Sequence, residues 1–193
     1  DRGIVLSFAP PMLDTEGRKI QPDWLLKFFK NPTMIRPNLA VRMPTFKMMS
    51  DDNWNTIIKY FQLKDGQTLP YENPHTVNKR STSYKAGDMI AEMGGCQNCH
   101  FYGSQKPKQA AVTWGPNLAL TKERLRPEWL IEWFKDPQAL MPGTKMPAPY
   151  IPSEEPVESV RDVWGKDVAK LHSDPEKLIE AIRDFTWGVS GPT

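Results

Sequence analysis

Two stretches of the chain carry the same pattern of apolar side chains. In each stretch four apolar residues fall at positions i, i+1, i+4 and i+5, which places them on one face of a helix. An Asn-Pro or Asp-Pro pair follows, and the residue before a proline disfavours helical geometry. The pattern therefore predicts two equivalent amphipathic helices. Their apolar residues are Trp24, Leu25, Phe28 and Phe29 in the first, and Trp129, Leu130, Trp133 and Phe134 in the second.

Three more helices follow from spacing and capping. Ser50 is a suitable N-cap for a helix with one apolar face, and Pro175 is a suitable first residue for another. A short helix is predicted from Lys85 to Met93, where Gly94 and Gly95 end it. We therefore predict an all-α fold with short helices and long loops. The two apolar faces comprise Trp54, Ile57, Ile58 and Phe61, and Leu178, Ile179, Ile182 and Phe185.

The two similar stretches belong to a longer internal repeat. Residues 22–32 match residues 127–137 without a gap, at an offset of 127 − 22 = 105. The offset falls to 146 − 43 = 103 at a Met-Pro pair, so the first copy has two extra residues in that loop. The sequence therefore predicts two related domains in tandem. Further matched pairs are Pro11 with Pro116, Leu13 with Leu118, Pro37 with Pro142, and Met43 with Met146.

The only two cysteines lie in the sequence Cys96-Gln97-Asn98-Cys99-His100. This C-x-x-C-H spacing is typical of covalent haem c attachment. Two thiols three positions apart can each add to one porphyrin vinyl group, while the adjacent imidazole reaches the iron. A proximal histidine usually has its other ring nitrogen fixed by a carbonyl group. We predict that Pro116, which offers a carbonyl but no N–H, is this partner.

Several motifs in order resemble those of the class I cytochromes c. After C-x-x-C-H come G-P-x-L at 115–118, a tryptophan-bearing helix, Asp-Pro, and P-G-T-x-M-P at 142–147. The resemblance covers about residues 84–149 and a later closing helix. It implies thioether bonds at Cys96 and Cys99, His100 as the proximal iron ligand and Met146 as the distal ligand. A methionine ligand raises the reduction potential of haem iron.

The first copy contains the segments that follow a haem motif but not the motif itself. The offset places a first C-x-x-C-H at positions 96 − 105 = −9 to −5, upstream of Asp1. Either the sequence omits the N-terminal part of a di-haem cytochrome, and Met43 is a second distal ligand, or the first domain is a haem-free docking module. We favour the di-haem interpretation, because the first copy has no extra apolar segment to fill a haem-sized void.

These patterns divide the chain into two tandem class I cytochrome c domains. The first spans residues 1–63, a polar and turn-rich linker spans 64–83, and the second spans 84–193. An insertion at about 149–173, rich in proline and acidic residues, separates Met146 from the closing helix. Long loops beside a ligand are usually functional, so we expect the insertion to contact the first domain or a partner subunit.

Other interpretations of the cysteine motif are weaker. A thioredoxin-like redox pair would lie in a βαβ pattern, which this sequence lacks. A structural zinc ion needs four ligands, and only His75 and His172 could join the motif. Both histidines lie in polar segments and are expected to be solvated. Met146 is alternatively an ordinary packing methionine.

Charge and hydropathy exclude several functions. With 25 basic and 23 acidic residues the net charge is +2, which favours neither nucleic acid nor an anionic membrane. No run of 18 apolar residues is present, and the residues after Asp1 do not form a signal peptide. By the resemblance, haem c attachment takes place on the outer side of an energy-transducing membrane. We therefore expect a periplasmic or outer-face location and a gene product that begins before Asp1.

The resemblance implies an electron carrier rather than an enzyme. Iron with His and Met ligands has no open position for a substrate, which disfavours a di-haem peroxidase. We expect a di-haem cytochrome subunit of a membrane-associated respiratory-type complex, with redox proteins as partners. The alternatives are a mono-haem carrier with a docking module, and an electron-entry subunit of a haem or quinoprotein enzyme. Lysines at 106, 108 and 122 are available to steer an acidic partner.

Overall fold

The structure is a computed structural model that describes residues 12–37 and 42–192. That part of the chain is mostly helical and has no β-strand, so the predicted all-α class is confirmed. Pro11 lies outside the described residues. None of the described helices has the length and apolarity needed to cross a bilayer. The helices are α1 (Glu16–Lys19), α2 (Pro22–Lys30), α3 (Asp51–Lys64), α4 (Thr82–Met93), α5 (Thr121–Arg124), α6 (Pro127–Lys135), α7 (Pro137–Leu140), α8 (Val157–Leu171) and α9 (Pro175–Gly188).

The helix boundaries follow the capping signals of the sequence. Helices α2 and α6 both begin at a proline, and both end just before an Asn-Pro or Asp-Pro pair. The Ser50 side chain accepts a hydrogen bond from the Asn53 backbone N–H at the start of α3. The Asp174 carboxylate accepts one from the Lys177 N–H at the start of α9. Local sequence therefore determines where these four helices begin, and where α2 and α6 end.

The internal repeat is present in the geometry. Helices α1 and α2 match α5 and α6 in length, at the same 105-residue offset as the sequence. Trp24 stacks on Phe28 with ring centroids 4.9 Å apart, and Trp129 stacks on Trp133 at 5.1 Å. Helices α3 and α9 are both 14 residues long. The buried residues of α3 have buried counterparts at the same positions of α9, with Trp54, Ile58 and Gln62 matching Leu178, Ile182 and Thr186.

Equivalent positions of the two halves meet at one contact, which we call the seam. Ile20 forms an isolated antiparallel bridge with its own counterpart, Leu125. The Arg126 N–H donates to the Lys19 carbonyl at 2.9 Å, and the Gln21 N–H donates to the Arg124 carbonyl at 2.9 Å. Because Lys19 corresponds to Arg124 and Gln21 to Arg126, the two hydrogen bonds exchange under a local two-fold rotation.

Arg126 fastens the linker to both halves. Its Nε donates to the Ile20 carbonyl at 3.2 Å, and its Nη1 donates to Gln67 Oε1 at 2.9 Å. The guanidinium lies 4.0 Å from the centre of the Tyr71 ring. Arg126 is buried, so removing it leaves the acceptors on Ile20 and Gln67 without their donor.

We expect Arg126→Met to lower the free energy of unfolding by about 2 kcal/mol, because two hydrogen bonds from a charged donor are lost. Urea denaturation followed by circular dichroism measures the change. Arg161→Met is the matched control, since Arg161 is exposed on α8. Equal losses in the two variants would show that Arg126 is not a fastening point.

The predicted insertion contains α8, whose buried residues Val160, Trp164 and Val168 join the core of the second half. This helix packs against α4 and makes a smaller contact with α9. Gly165, at φ 84°, breaks it into two pieces. Its main contacts therefore lie within its own half, whereas the sequence suggested the first domain or a partner subunit.

The two spare histidines lie in different surroundings. His75, in the linker, places Nε2 3.1 Å from Asp184 Oδ1 and its ring edge-on to Trp187. Burial lowers the pKa of His75 below its ordinary value. The expectation that His75 is solvated is therefore wrong, because the linker folds back onto α9. His172 is partly exposed, and its Nδ1 lies 3.2 Å from the Ala169 carbonyl oxygen.

Candidate functional site

The cysteine motif lies in a tight turn directly after α4. Gly95 has φ 67°, a left-handed conformation that favours glycine, and a 3-10 turn follows at Cys96–Asn98. The His100 N–H donates to the Cys96 carbonyl at 3.0 Å, which holds the histidine beside the first cysteine. Both thiols are free and partly buried, and burial raises the pKa of Cys96. The turn therefore places two unpaired cysteines and the histidine in one short, backbone-bonded segment.

The His100 ring makes the contact predicted from the sequence. Its Nδ1 lies 2.7 Å from the Pro116 carbonyl oxygen. Because a carbonyl oxygen only accepts, Nδ1 carries the proton and Nε2 keeps its lone pair. Burial lowers the pKa of His100 and so favours the neutral imidazole, although the Pro116 contact acts in the opposite direction. A neutral imidazole with Nε2 available is the form that ligates metals.

Gly115 shapes the wall against which this ring packs. A Cβ atom added there would lie 2.7 Å from Cε1 of His100 and 3.0 Å from its Nδ1. The Gly115 N–H also donates to the Cys99 carbonyl at 2.7 Å, which leaves the backbone little room to move. The close approach of backbone and imidazole therefore requires glycine at this position.

We expect Gly115→Ala to rotate the His100 ring away from Pro116 and to lower the free energy of unfolding by about 1–3 kcal/mol. Nitrogen-15 NMR of the histidine ring measures the first effect through the protected Nδ1–H signal. Pro116→Ala is the control, since it keeps the carbonyl acceptor and should keep that signal. A protected Nδ1–H signal in Gly115→Ala would contradict the assignment.

Met146 lies in a loop that side chains of α7 and of the loop itself hold in place. The Gln138 side chain bonds both the Gly143 N–H and the Thr144 carbonyl. Trp133 Nε1 donates to the Met146 sulfur at 3.0 Å, a contact that no motif in the sequence predicts. Met146 is partly buried against the core of the second half. Its sulfur is thus oriented by an indole on α6.

The predicted site residues lie in three places in the fold. Cys96, Cys99, His100 and Pro116 form one cluster. The Met146 loop reaches the neighbouring turn at Ala111–Thr113, where Lys145 Nζ donates to the Val112 carbonyl at 3.2 Å. Met43 lies apart from this cluster. It packs, partly buried, against the core of the first half, whose cluster also includes Trp24 and Phe28.

The surroundings of the cluster fit a haem group. Phe101 and Trp114 pack edge to face, with centroids 5.0 Å apart, beside the motif. Both rings stay half-buried, as do other apolar side chains of the segment that follows the motif and of the α6–α7 region. A flat, apolar tetrapyrrole covers such surfaces, and nitrogen and thioether ligands suit its iron. These other half-buried residues are Leu118, Leu120, Trp133, Leu140 and Met141.

The zinc alternative has no support in the geometry. Among the described residues, no three His, Cys, Asp or Glu side chains converge as a cation site. His75 lies against Asp184 and Trp187, and His172 against the end of α8, so neither joins the two cysteines. A histidine and methionine pair is a different donor set, of the kind that binds haem iron in cytochromes c.

Comparisons with family models, with curated proteins and with solved structures return no match for this chain.

Proposed function

We propose that this protein is an electron-transfer c-type cytochrome that carries haem c on Cys96 and Cys99, with His100 and Met146 as the axial ligands. The observation that carries the proposal is the 2.7 Å contact between His100 Nδ1 and the Pro116 carbonyl. His100 directly follows the second of two free cysteines in a C-x-x-C pair. This contact fixes the tautomer that leaves Nε2 for iron. A histidine with a purely structural role would not explain why two free cysteines lie in the same turn.

When bound, the haem supplies a one-electron ferric–ferrous couple. The chain supplies the surroundings that set its potential. The Pro116 carbonyl orients the proximal imidazole, and the Trp133 indole donates to the Met146 sulfur. His100 and Met146 would both bind the iron, so no iron position would remain for substrate. We therefore propose a carrier, with redox proteins as its partners and a periplasmic or outer-face location.

The repeat supports a second centre in the first half. Met43 occupies the position equivalent to Met146, and the helices of the first half match those of the second. We propose the di-haem form, with Met43 as the second distal ligand, as a cytochrome subunit of a membrane-associated respiratory-type complex. The alternative is a mono-haem carrier whose first half is a docking module.

Intact mass and a pyridine haemochrome assay on protein from its native source test this proposal. One haem per chain at a mass of 22.1 kDa plus haem would support the mono-haem form. Two haems at a larger mass would support the di-haem form. Protein that carries no covalent haem, although it was made in cells that attach haem to c-type cytochromes, would refute both.

A near-infrared sulfur-to-iron band in the ferric protein tests the distal ligand. The band should be present in the natural protein and absent from Met146→Ala. Rapid cyanide binding by the natural protein would instead indicate an open iron position and an enzyme of the peroxidase type.

A further inference from the structure

Four charged side chains cluster beside the seam, and we call them the seam cluster: Glu16, Lys19, Arg36 and Arg124. Lys19 is only 4% exposed and Arg124 only 8% exposed. These two residues occupy equivalent positions of the repeat, Lys19 at the end of α1 and Arg124 at the end of α5. The first half and the second half thus each contribute one buried cation.

Each of the two cations contacts an aromatic ring of the other half. Lys19 Nζ lies 5.6 Å from the centre of the Trp129 ring, which belongs to the second half. Arg124 Cζ lies 5.4 Å from the centre of the Trp24 ring, which belongs to the first half. Cation–π contacts of this kind hold each cation over the partner half. The cluster is therefore assembled only when both halves are packed together.

The seam cluster has more positive than negative charge. Glu16 is its one carboxylate, and Oε1 of that residue lies 2.8 Å from Lys19 Nζ. Burial lowers the pKa of Lys19 to about 8 and that of Arg124 to about 10; the Glu16 carboxylate opposes both shifts, and the neighbouring cations add to them. Among the described residues, no acceptor bonds the buried Nε of Arg124. Buried charge without a partner is costly, so an anion at this position would be strongly stabilised.

We propose that the seam cluster binds a carboxylate, to which Lys19 of the first half and Arg124 of the second half both contribute. The planar guanidinium fork of arginine matches the two oxygens of a carboxylate. Two sources share this chemistry. One is the acidic side chains of a haem held by either half, which rests on the proposed function, and the other is a free dicarboxylate. In both cases the anion joins the two halves.

A pH titration of the reduction potential tests the haem source in the intact holoprotein. An ionised carboxylate beside the haem stabilises ferric iron, so the potential falls as that group loses its proton. Removing a cation raises the pKa of a neighbouring carboxyl by about 1–3 pH units. We expect Arg124→Gln to move the potential step to higher pH by that amount. Arg124→Lys should restore part of the shift, and the exposed control Arg161→Gln should leave the step unchanged.

Succinate tests whether the bound carboxylate belongs to a free dicarboxylate. If a free dicarboxylate is the ligand, succinate raises the melting temperature of the natural holoprotein above that in sodium chloride of equal ionic strength. It does not do so in Arg124→Gln, and the potential step stays in place. If Arg124→Gln does not fold, Lys19→Gln takes its place in both experiments, because it removes the other cation.

One combination of results overturns the inference. In that combination, the seam variants would change neither the pH at which the reduction potential steps nor the effect of succinate on the melting temperature. Arg124→Gln would also be at least as stable as the natural protein. Haem content is measured on the same samples. A chain without haem refutes the proposed function, while the succinate comparison still decides whether the cluster binds a carboxylate.

Discussion

Gly87→Val is expected to separate α4 from α9 and to lower the free energy of unfolding by about 3 kcal/mol or more. A Cβ atom at position 87 would lie 1.8 Å from the Ala181 carbonyl oxygen and 2.9 Å from the Phe185 Cβ. No choice of rotamer relieves a clash made by Cβ itself, so the two helices must move apart. The contact between them is the most extensive helix pair in the described structure, and overpacking at such a position is strongly destabilising.

Urea denaturation measured by far-ultraviolet circular dichroism checks this result. Lys85→Val is the matched control, because it places the same β-branched residue on the exposed face of the same helix. The difference between the two variants isolates the helix crossing from helix propensity, which accounts for less than about 1 kcal/mol. Similar stability of the two variants would mean that α4 and α9 do not cross at Gly87.

The double variant Cys96→Ser, Cys99→Ser is expected to lose all covalently attached haem from the second half. Serine hydroxyls do not form thioether bonds, although the His100 imidazole and the Met146 sulfur remain. Acidified acetone should then extract the haem of this half, and the intact mass of the chain should fall by one haem. A second haem attached elsewhere in a di-haem protein would be unaffected. The number of covalent haems is therefore compared between the variant and the natural protein.

Met146→Ala is the control for the cysteine variant. It keeps both thiols and should therefore keep the covalent haem, while it loses the near-infrared band of a methionine ligand. The two variants separate attachment from ligation. If the natural protein already releases its haem to acidified acetone, or if the double variant retains it, the proposed attachment at Cys96 and Cys99 is wrong.

The parts of the fold that could be predicted are those that local sequence determines. Helices α2 and α6 carry a full apolar stripe between a proline start and an Asn-Pro or Asp-Pro end. Ser50 caps α3 as expected. The Pro116 contact was also predictable, because the proline of the G-P-x-L segment offers a carbonyl acceptor and has no N–H of its own.

Helix α8 was missed, although a signal was present. Val160, Trp164 and Val168 recur at intervals of four and are buried in the structure. The acidic residues around them and a flanking proline made the segment resemble a loop, and Gly165 interrupts the pattern. The spacing of those three residues would have identified the helix.

The seam and the position of His75 could not be inferred from local patterns. The pairing of Ile20 with Leu125 joins residues far apart in sequence, and nothing near either residue specifies it. His75 lies in a polar stretch, and its contact with Asp184 depends on how the linker folds back over α9. The position of Trp133 against the Met146 sulfur likewise depends on tertiary packing. Such contacts are set by the packed structure as a whole.

The exchange of hydrogen bonds at the seam is isologous, meaning that the same surface of each half faces its own copy. Identical subunits form two-fold dimers through interfaces of this kind. Here the two surfaces lie within one polypeptide. One hydrogen bond joins Arg126 to Lys19, and the equivalent bond joins Gln21 to Arg124. The chain therefore contains, within one polypeptide, the backbone pairing of a two-fold dimer, while the side chains at the equivalent positions differ.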